Sequence, residues 1–178
     1  MRCSWCNLDN PLYVTYHDEE WGRLRLDDSY LFEMLLLESF QAGLSWECVL
    51  NKREAFREVF DSFDWKKIAM YDEDKISSLM KDSRIIRNRL KIKASIRNAK
   101  VYEDILEEYG SFEKYLRSFW NGFILYENDR TTNDLSDAIS RDLQKRGMRF
   151  VGSVIIYSYL QAIGIISSHM DSCDWRNK

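Results

Sequence analysis

Apolar positions gather into two runs too dense for a surface helix. The first, SYLFEMLLLESFQAGL (29–44), is apolar on nearly every side, which predicts a buried helix. Asp27 or Asp28 can cap its start and Gly43 can end it. The second runs from Phe150 to Ile166 and predicts a core helix. Between them the pattern is amphipathic. NKREAFREVF (51–60), WKKIAM (65–70) and DEDKISSLMKD (72–82) predict short helices, the last capped by Asp72 or Asp74. RIIRNRLKIKASIRNAK (84–100) predicts a basic helix, with Ile85, Ile92, Ile96 and Ala99 on one face and Arg84, Arg87 and Lys91 on another. Helix continues through 101–120 with a break at Gly110 and a new start at Ser111. Residues 121–134 read as a loop, Asn133 or Asp134 as the next cap, and LSDAISRDLQKR as a helix ending at Gly147. Pro11 and the Asn and Asp residues of 1–22 predict an irregular arm, while Trp5, Leu12, Tyr13, Tyr16 and Trp21 need burial or a ligand. Residues 23–28 read as a linker and 174–178 as a frayed tail. The expectation is an all-α bundle, one domain over 1–178.

Composition sharpens this in two ways. One proline and seven glycines in 178 residues favour long helices over many short strands. A net charge of −3 announces no nucleic-acid partner, so any basic surface has to be local. No apolar run approaches a membrane span, and MRCSWCNLDN lacks the apolar core of a signal peptide. The expectation is a cytoplasmic protein without a membrane partner, its cysteines thiols or metal ligands.

The two histidines lie near opposite ends, each with cysteine nearby. Cys3, His17, His169 and Cys173 would make a Cys₂His₂ set that suits tetrahedral, structural Zn²⁺ and staples the termini together. His169 and Cys173, four apart, would share one face of a helix. A rival set pairs Cys6 with Cys3 and omits His17; the plain alternative is a buried thiol and two ordinary histidines. Cys48 reads as core.

Two further constellations carry chemistry. Glu38 shares a helix face with Leu31, Met34 and Leu35, where a carboxylate is costly unless paired or functional. With Trp46, Tyr13 and Tyr16 it would form an aromatic, cation-accepting slot; otherwise Glu38 faces solvent and the rings are packing. The turn Lys145-Arg146-Gly147-Met148-Arg149-Phe150-Val151-Gly152 resembles a helix–hairpin–helix, in which glycines and the next helix N-terminus grip a phosphate. The basic stretch 84–100 could add charge on the same side, or be a solvated face.

Four segments in order, PLYVTYHDEEWG (11–22), LFEMLLLESFQAGLSW (31–46), IIRNRLKIKASIRNAK (85–100) and KRGMRFVGSVIIYSYLQAIGIISSH (145–169), resemble the DNA-3-methyladenine glycosylase I family across almost the whole chain. The resemblance implies a helix–hairpin–helix glycosylase fold with a zinc clasp joining the N- and C-termini, built from about 1–22 and 165–178. It favours Cys3, His17, His169 and Cys173 as ligands over the set with Cys6. It places Glu38 as the catalytic group and Tyr13, Tyr16 and Trp46 as substrate-binding walls of a base pocket. Gln41, Gly43 and Leu44 fall where the family probes the gap left by a lesion, and Lys145, Arg146, Gly147, Arg149 and Gly152 where it binds DNA. The implied activity is hydrolysis of the N-glycosidic bond of 3-methyladenine in alkylated double-stranded DNA, by a monomer that flips the base. A non-catalytic damaged-DNA-binding module of the same fold is the alternative. Arg23-Leu24-Arg25 departs from a segment where the family often has proline, and the chain stops soon after Cys173. Asp171 is given no role, because the resemblance is to the group without a catalytic aspartate.

Overall fold

The computed structural model describes residues 1–176. Its centre is α2 (Asp28–Gln41), capped by the Asp27 carboxylate on the Tyr30 amide. Every side chain from Met34 to Phe40 is buried. Burial of Leu31, Phe32, Met34, Leu35, Leu36, Leu37 and Phe40, at ~1.5–3 kcal/mol each, outweighs the several kcal/mol that an unpaired buried carboxyl costs the same helix.

Around α2 pack α10 (Ser153–Ala162), α7 (Arg89–Tyr109), α3 (Trp46–Leu50) and α8 (Phe112–Arg117). The Arg53–Val59 helix (α4), a 3₁₀ turn at Asp61–Phe63, and the helices Trp65–Ala69 (α5) and Glu73–Lys81 (α6) form the flank beside α7. Capping decides the boundaries as read from sequence: Asp72 caps α6, Gly110 ends α7 and Ser111 starts α8. Asn133 opens α9 (Asp134–Arg146) with a capping box, and Gly147 closes it.

Four expectations change. The arm is not irregular, because Pro11 stands at N1 of a helix, α1 (Pro11–Glu19), with Asn10 as its cap. Proline starts a helix as readily as it breaks one. Leu12 on that helix is exposed. The basic helix begins only at Arg89, where Asn88 accepts from the amides of Leu90 and Lys91. Three of the seven cations of 84–100 pair with acids nearby, Arg84 with Asp82 and Glu58, and Arg89 and Lys93 with Glu73. The second apolar run is helical only to Ala162. Its end turns at Gly164 and enters a two-residue strand, β2 (Ile166–Ser167), parallel to β1 (Leu125–Tyr126), so the bundle is mostly helical with a minimal sheet. Residues 174–176 are docked: the Asp174 amide donates to the Met1 carbonyl and Arg176 pairs with Asp171. Residues 177–178 of the supposed frayed tail lie outside the described residues.

Gly164 holds the linker to the core. Residues 22–25 run across the end of α10, with the Gly22 amide on the Gln161 carbonyl and the Arg25 amide on the Ile163 carbonyl. A Cβ at Gly164 would sit 2.2 Å from the Arg23 carbonyl carbon, at φ +83°. Backbone cannot swing aside as a side chain can. Gly164→Ala is therefore expected to cost about 3 kcal/mol or more, lowering Tm by roughly 6–12 °C for a chain of this size. A melt within 2 °C of the parent would show that the crossing is not tight.

Candidate functional site, an aromatic slot backed by a four-ligand cluster

Glu38 and Trp46 flank a sharp turn. The Leu44 amide donates to the Gln41 carbonyl at 2.7 Å. Ala42 (φ −46°, ψ 112°) and Gly43 (φ +79°) hold the two central positions of a type II turn, where the second demands glycine. The Gln41 side-chain amide donates to the Leu44 carbonyl at 2.9 Å, which closes the turn and leaves Leu44 exposed at its tip. Ser45 then caps α3, placing Trp46 in its first turn.

Between this turn and α1 lies a cavity of about 280 Å³, lined by Trp5, Tyr13, Tyr16, Trp21, Glu38, Gln41 and Trp46, with Ser158, Gln161, Ser168 and Asn128 on the far side. That is small beside the ~300–1,000 Å³ of most ligand pockets and suits one flat ring system. Tyr16 and Trp46 lie with ring centroids 5.3 Å apart, and Tyr13 lies 5.4 Å from Trp5. Asn7 and Asn10 fix the arm by donating to the Glu47 carboxylate at 2.8 and 2.7 Å.

The slot's electrostatics are those of an unanswered acid. Glu38 is buried, and neither its Oε2 nor the Nε1 of Trp46 has a hydrogen-bond partner. Burial alone pushes the Glu38 carboxyl up to about 8. Tyr13, pushed up to about 12 by burial, and Tyr16, raised well beyond its usual range first by burial and then by Glu38, both stay phenols. A buried acceptor and a buried donor thus face one small cavity, and a cation with hydrogen-bonding edges would satisfy both.

Behind the slot sit Cys3, His17, His169 and Cys173, all buried, their ligand atoms within 4.8 Å of one another. Sγ of Cys3 lies 3.5 Å from His169 Nδ1, and Sγ of Cys173 lies 3.5 Å from His17 Nε2 and 3.4 Å from His169 Nδ1. Zinc–sulfur and zinc–nitrogen bonds of about 2.3 and 2.0 Å give a tetrahedron with sulfur–nitrogen edges of about 3.5 Å. The other imidazole nitrogens are engaged: His17 Nδ1 meets Asp18 at 2.8 Å and His169 Nε2 meets the Trp21 carbonyl at 3.3 Å. Such outer partners orient ligating histidines. Burial also lowers the His169 pKa, favouring the neutral, ligating imidazole. Cys6 is outside the cluster, its thiol 3.8 Å from the Tyr13 carbonyl, and Cys48 is only half-buried. His169 and Cys173 meet not on a helix but around a bend in which the Cys173 amide donates to Met170.

Slot and cluster share a wall. Trp5 lies 5.2 Å from His17, Trp21 lies 4.7 Å from His169, and the two indoles pack edge-on at 4.6 Å. Both need burial on sequence grounds, but nothing in their spacing places them in the slot. Gln161 and Ser168, hydrogen-bonded to each other at 2.7 Å, carried no signal at all.

The third group lies at the opposite end of α10. The turn 147–152 is pinned from behind: Asn98 donates to the Arg149 carbonyl and accepts from its amide, and Ser140 donates to the Val151 carbonyl at 2.7 Å. Gly152 precedes α10 with no side-chain cap, which leaves that helix N-terminus open to an external acceptor. Lys145 and Arg149 are exposed. Arg146 is already paired, with Glu108 and Asp142 at 2.6 Å each.

A family model described as methyladenine glycosylase matches residues 5–177. The chain is 42% identical to the DNA-3-methyladenine glycosylase 1 of Escherichia coli K12, over 97% of this chain and 95% of that one. A Staphylococcus aureus 3-methyladenine DNA glycosylase I, solved to explain 3-methyladenine recognition, superposes with a TM-score of 0.93 at 36% identity, covering 99% of this chain and 97% of that one. A tyrosine-to-phenylalanine variant of a 3-methyladenine DNA glycosylase I in complex with 3-methyladenine matches equally well, with a TM-score of 0.93 at 36% identity over 99% and 98%.

Proposed function

The chain belongs to the methyladenine glycosylase family, and on that premise we propose that it is a DNA repair enzyme that hydrolyses the N-glycosidic bond of 3-methyladenine in alkylated double-stranded DNA. The observation that carries the reading is Glu38: a buried, unpartnered carboxyl in an aromatic slot sized for one base. The lesion in DNA carries a positive charge and leaves readily. The enzyme has to extract it, hold it and admit water to the sugar. Tyr13, Tyr16 and Trp46 supply ring faces to the cation and Glu38 accepts from its amine edge. As the glycosidic bond breaks, its electron pair moves onto the base and cancels that charge, while water adds to the sugar carbon and loses a proton. An anion beside the base therefore favours capture over departure, and Glu38 acts by selecting and orienting the lesion. A neutral adenine gains less from the same slot.

Leu44, at the tip of the turn made by Gln41 and Gly43, fills the gap that the extruded base leaves. α9, the 147–152 turn and α10 serve as the helix–hairpin–helix, with Gly147, Gly152 and the uncapped α10 N-terminus receiving a phosphate, and Lys145 and Arg149 adding charge. Arg146 supports this turn through its pairs with Glu108 and Asp142. Cys3, His17, His169 and Cys173 hold structural Zn²⁺: two thiolates and two neutral imidazoles suit it, and four protein ligands leave no catalytic position. The metal joins the two chain ends, 1–22 and the segment from 165 onward, into a clasp. No helix is long and apolar enough to cross a membrane among the described residues.

Incubation with a methylated duplex is expected to release free 3-methyladenine and leave abasic sites, read by chromatography of the supernatant. Binding of the duplex without base release would sink the enzyme reading and leave a damage-binding module.

A further inference from the structure

Lys91 is a buried cation with no acidic partner among the ion pairs of the described residues. It lies in the first turn of α7, and its side chain points inward. The ammonium donates to the Phe40 carbonyl at 2.7 Å and the Ala42 carbonyl at 2.6 Å. These are among the last carbonyls of α2, which ends at Gln41 with no capping amide of its own. Helix C-termini carry partial negative charge and orphaned acceptors, so the α2 terminus serves as the counter-charge of Lys91. The ammonium also lies 5.8 Å from the Phe150 ring centroid, and Phe150 is the non-glycine left-handed residue (φ +57°) of the 147–152 turn. One cation thus touches the base of the Gln41–Leu44 turn and the side of the phosphate-gripping turn.

We propose that Lys91 is a positioning residue that sets the Gln41–Leu44 turn against the 147–152 turn, so that Leu44 enters the duplex while the backbone is held. The proposal rests on the glycosylase reading above. Its chemistry fits the task. Two charge-assisted bonds, to the carbonyls on either side of Gln41, fix the direction in which the chain leaves α2, and among the described residues the turn they fix carries no other backbone tie to α7. Lys91 does not itself line the slot, so its expected effect is on duplex engagement.

The test compares wild type with Lys91→Met on two substrates, methylated duplex and free 3-methyladenine. Lys91→Met is expected to lose about tenfold or more in kcat/KM on the duplex, chiefly through KM, and to bind the free base with unchanged affinity. In a Leu44→Ala background the same substitution is expected to cost less than threefold, because the part it positions is gone. Wild-type efficiency of Lys91→Met on the duplex overturns the proposal, as does a proportional loss of free-base affinity, which would make Lys91 a support of the slot. Lys91→Gln, which can still donate to one carbonyl, replaces a variant that does not fold. Failure of both to fold assigns Lys91 to the core alone and also overturns the proposal. Absence of base release by the wild type would instead sink the glycosylase reading.

Discussion

Glu38→Gln is expected to lower kcat/KM for 3-methyladenine excision by about 10²–10³-fold, the range that follows loss of one preorganised electrostatic partner in a dry site. The fold should gain, not lose. In the native chain burial holds the Glu38 carboxyl up at about 8, whereas in the unfolded chain it ionises near its ordinary ~4.3. Below both values the group is neutral in either state and contributes nothing. As pH rises between them the unfolded chain releases the proton first, so native stability falls, and above about 8 the loss is complete. The full penalty is on the order of 5 kcal/mol. Glutamine keeps the shape and cannot ionise. Melting curves of the variant should therefore lack the wild type's decline from pH 5 to 8, and at pH 8 it should be the more stable protein. Full turnover by the variant, or equal melts at both ends of that range, would take Glu38 out of the slot. The same linkage has a functional side. At neutral pH the empty slot holds a largely protonated acid, and a cationic base arriving there favours loss of that proton.

Removal of the proposed zinc is expected to have the second large effect. Purified protein is expected to contain one zinc per chain by elemental analysis. Stripping it with a chelator in mild denaturant, or replacing Cys173 with serine, should lower Tm by roughly 10–20 °C, since losing even ~5 kcal/mol moves a chain of this size that far. The apo protein should also lose excision. Trp5 and Trp21 are at once slot walls and neighbours of His17 and His169, so a loosened cluster opens the slot from behind. Tryptophan emission should shift red as those indoles meet water, while far-UV helicity from α2 and α7 persists. A zinc-free preparation with full activity and an unchanged melt would reduce the cluster to packed thiols and imidazoles.

The two largest features were legible for a common reason. The runs 29–44 and 150–166 are dense enough in apolar residues that each predicts a buried helix, and each contains one, Asp28–Gln41 and Ser153–Ala162; Asp27, Asp72, Ser111, Asn133 and Gly147 mark boundaries through local chemistry that needs no tertiary partner. Glu38 was readable because a carboxyl inside such a run has to be explained. What escaped reading depends on chain crossings. Pro11 was ambiguous between breaker and helix start until Asn10 capped it. Lys91 looked like one charge in a basic stripe, and only the approach of the α2 terminus makes it a buried cap. Gln161 and Ser168 enter the slot because α10 ends beside β2, which no spacing announces.

The shared indole wall also sets an order of events during synthesis. The slot's front is encoded before residue 50, but the imidazole and thiol that back it come at 169 and 173. A growing polypeptide on the ribosome thus carries these rings unbraced until residues 169–173 emerge and turn back on the first segment. Competence to excise then waits on those residues, so products that stop short of His169 and Cys173 should neither bind nor cleave damaged bases.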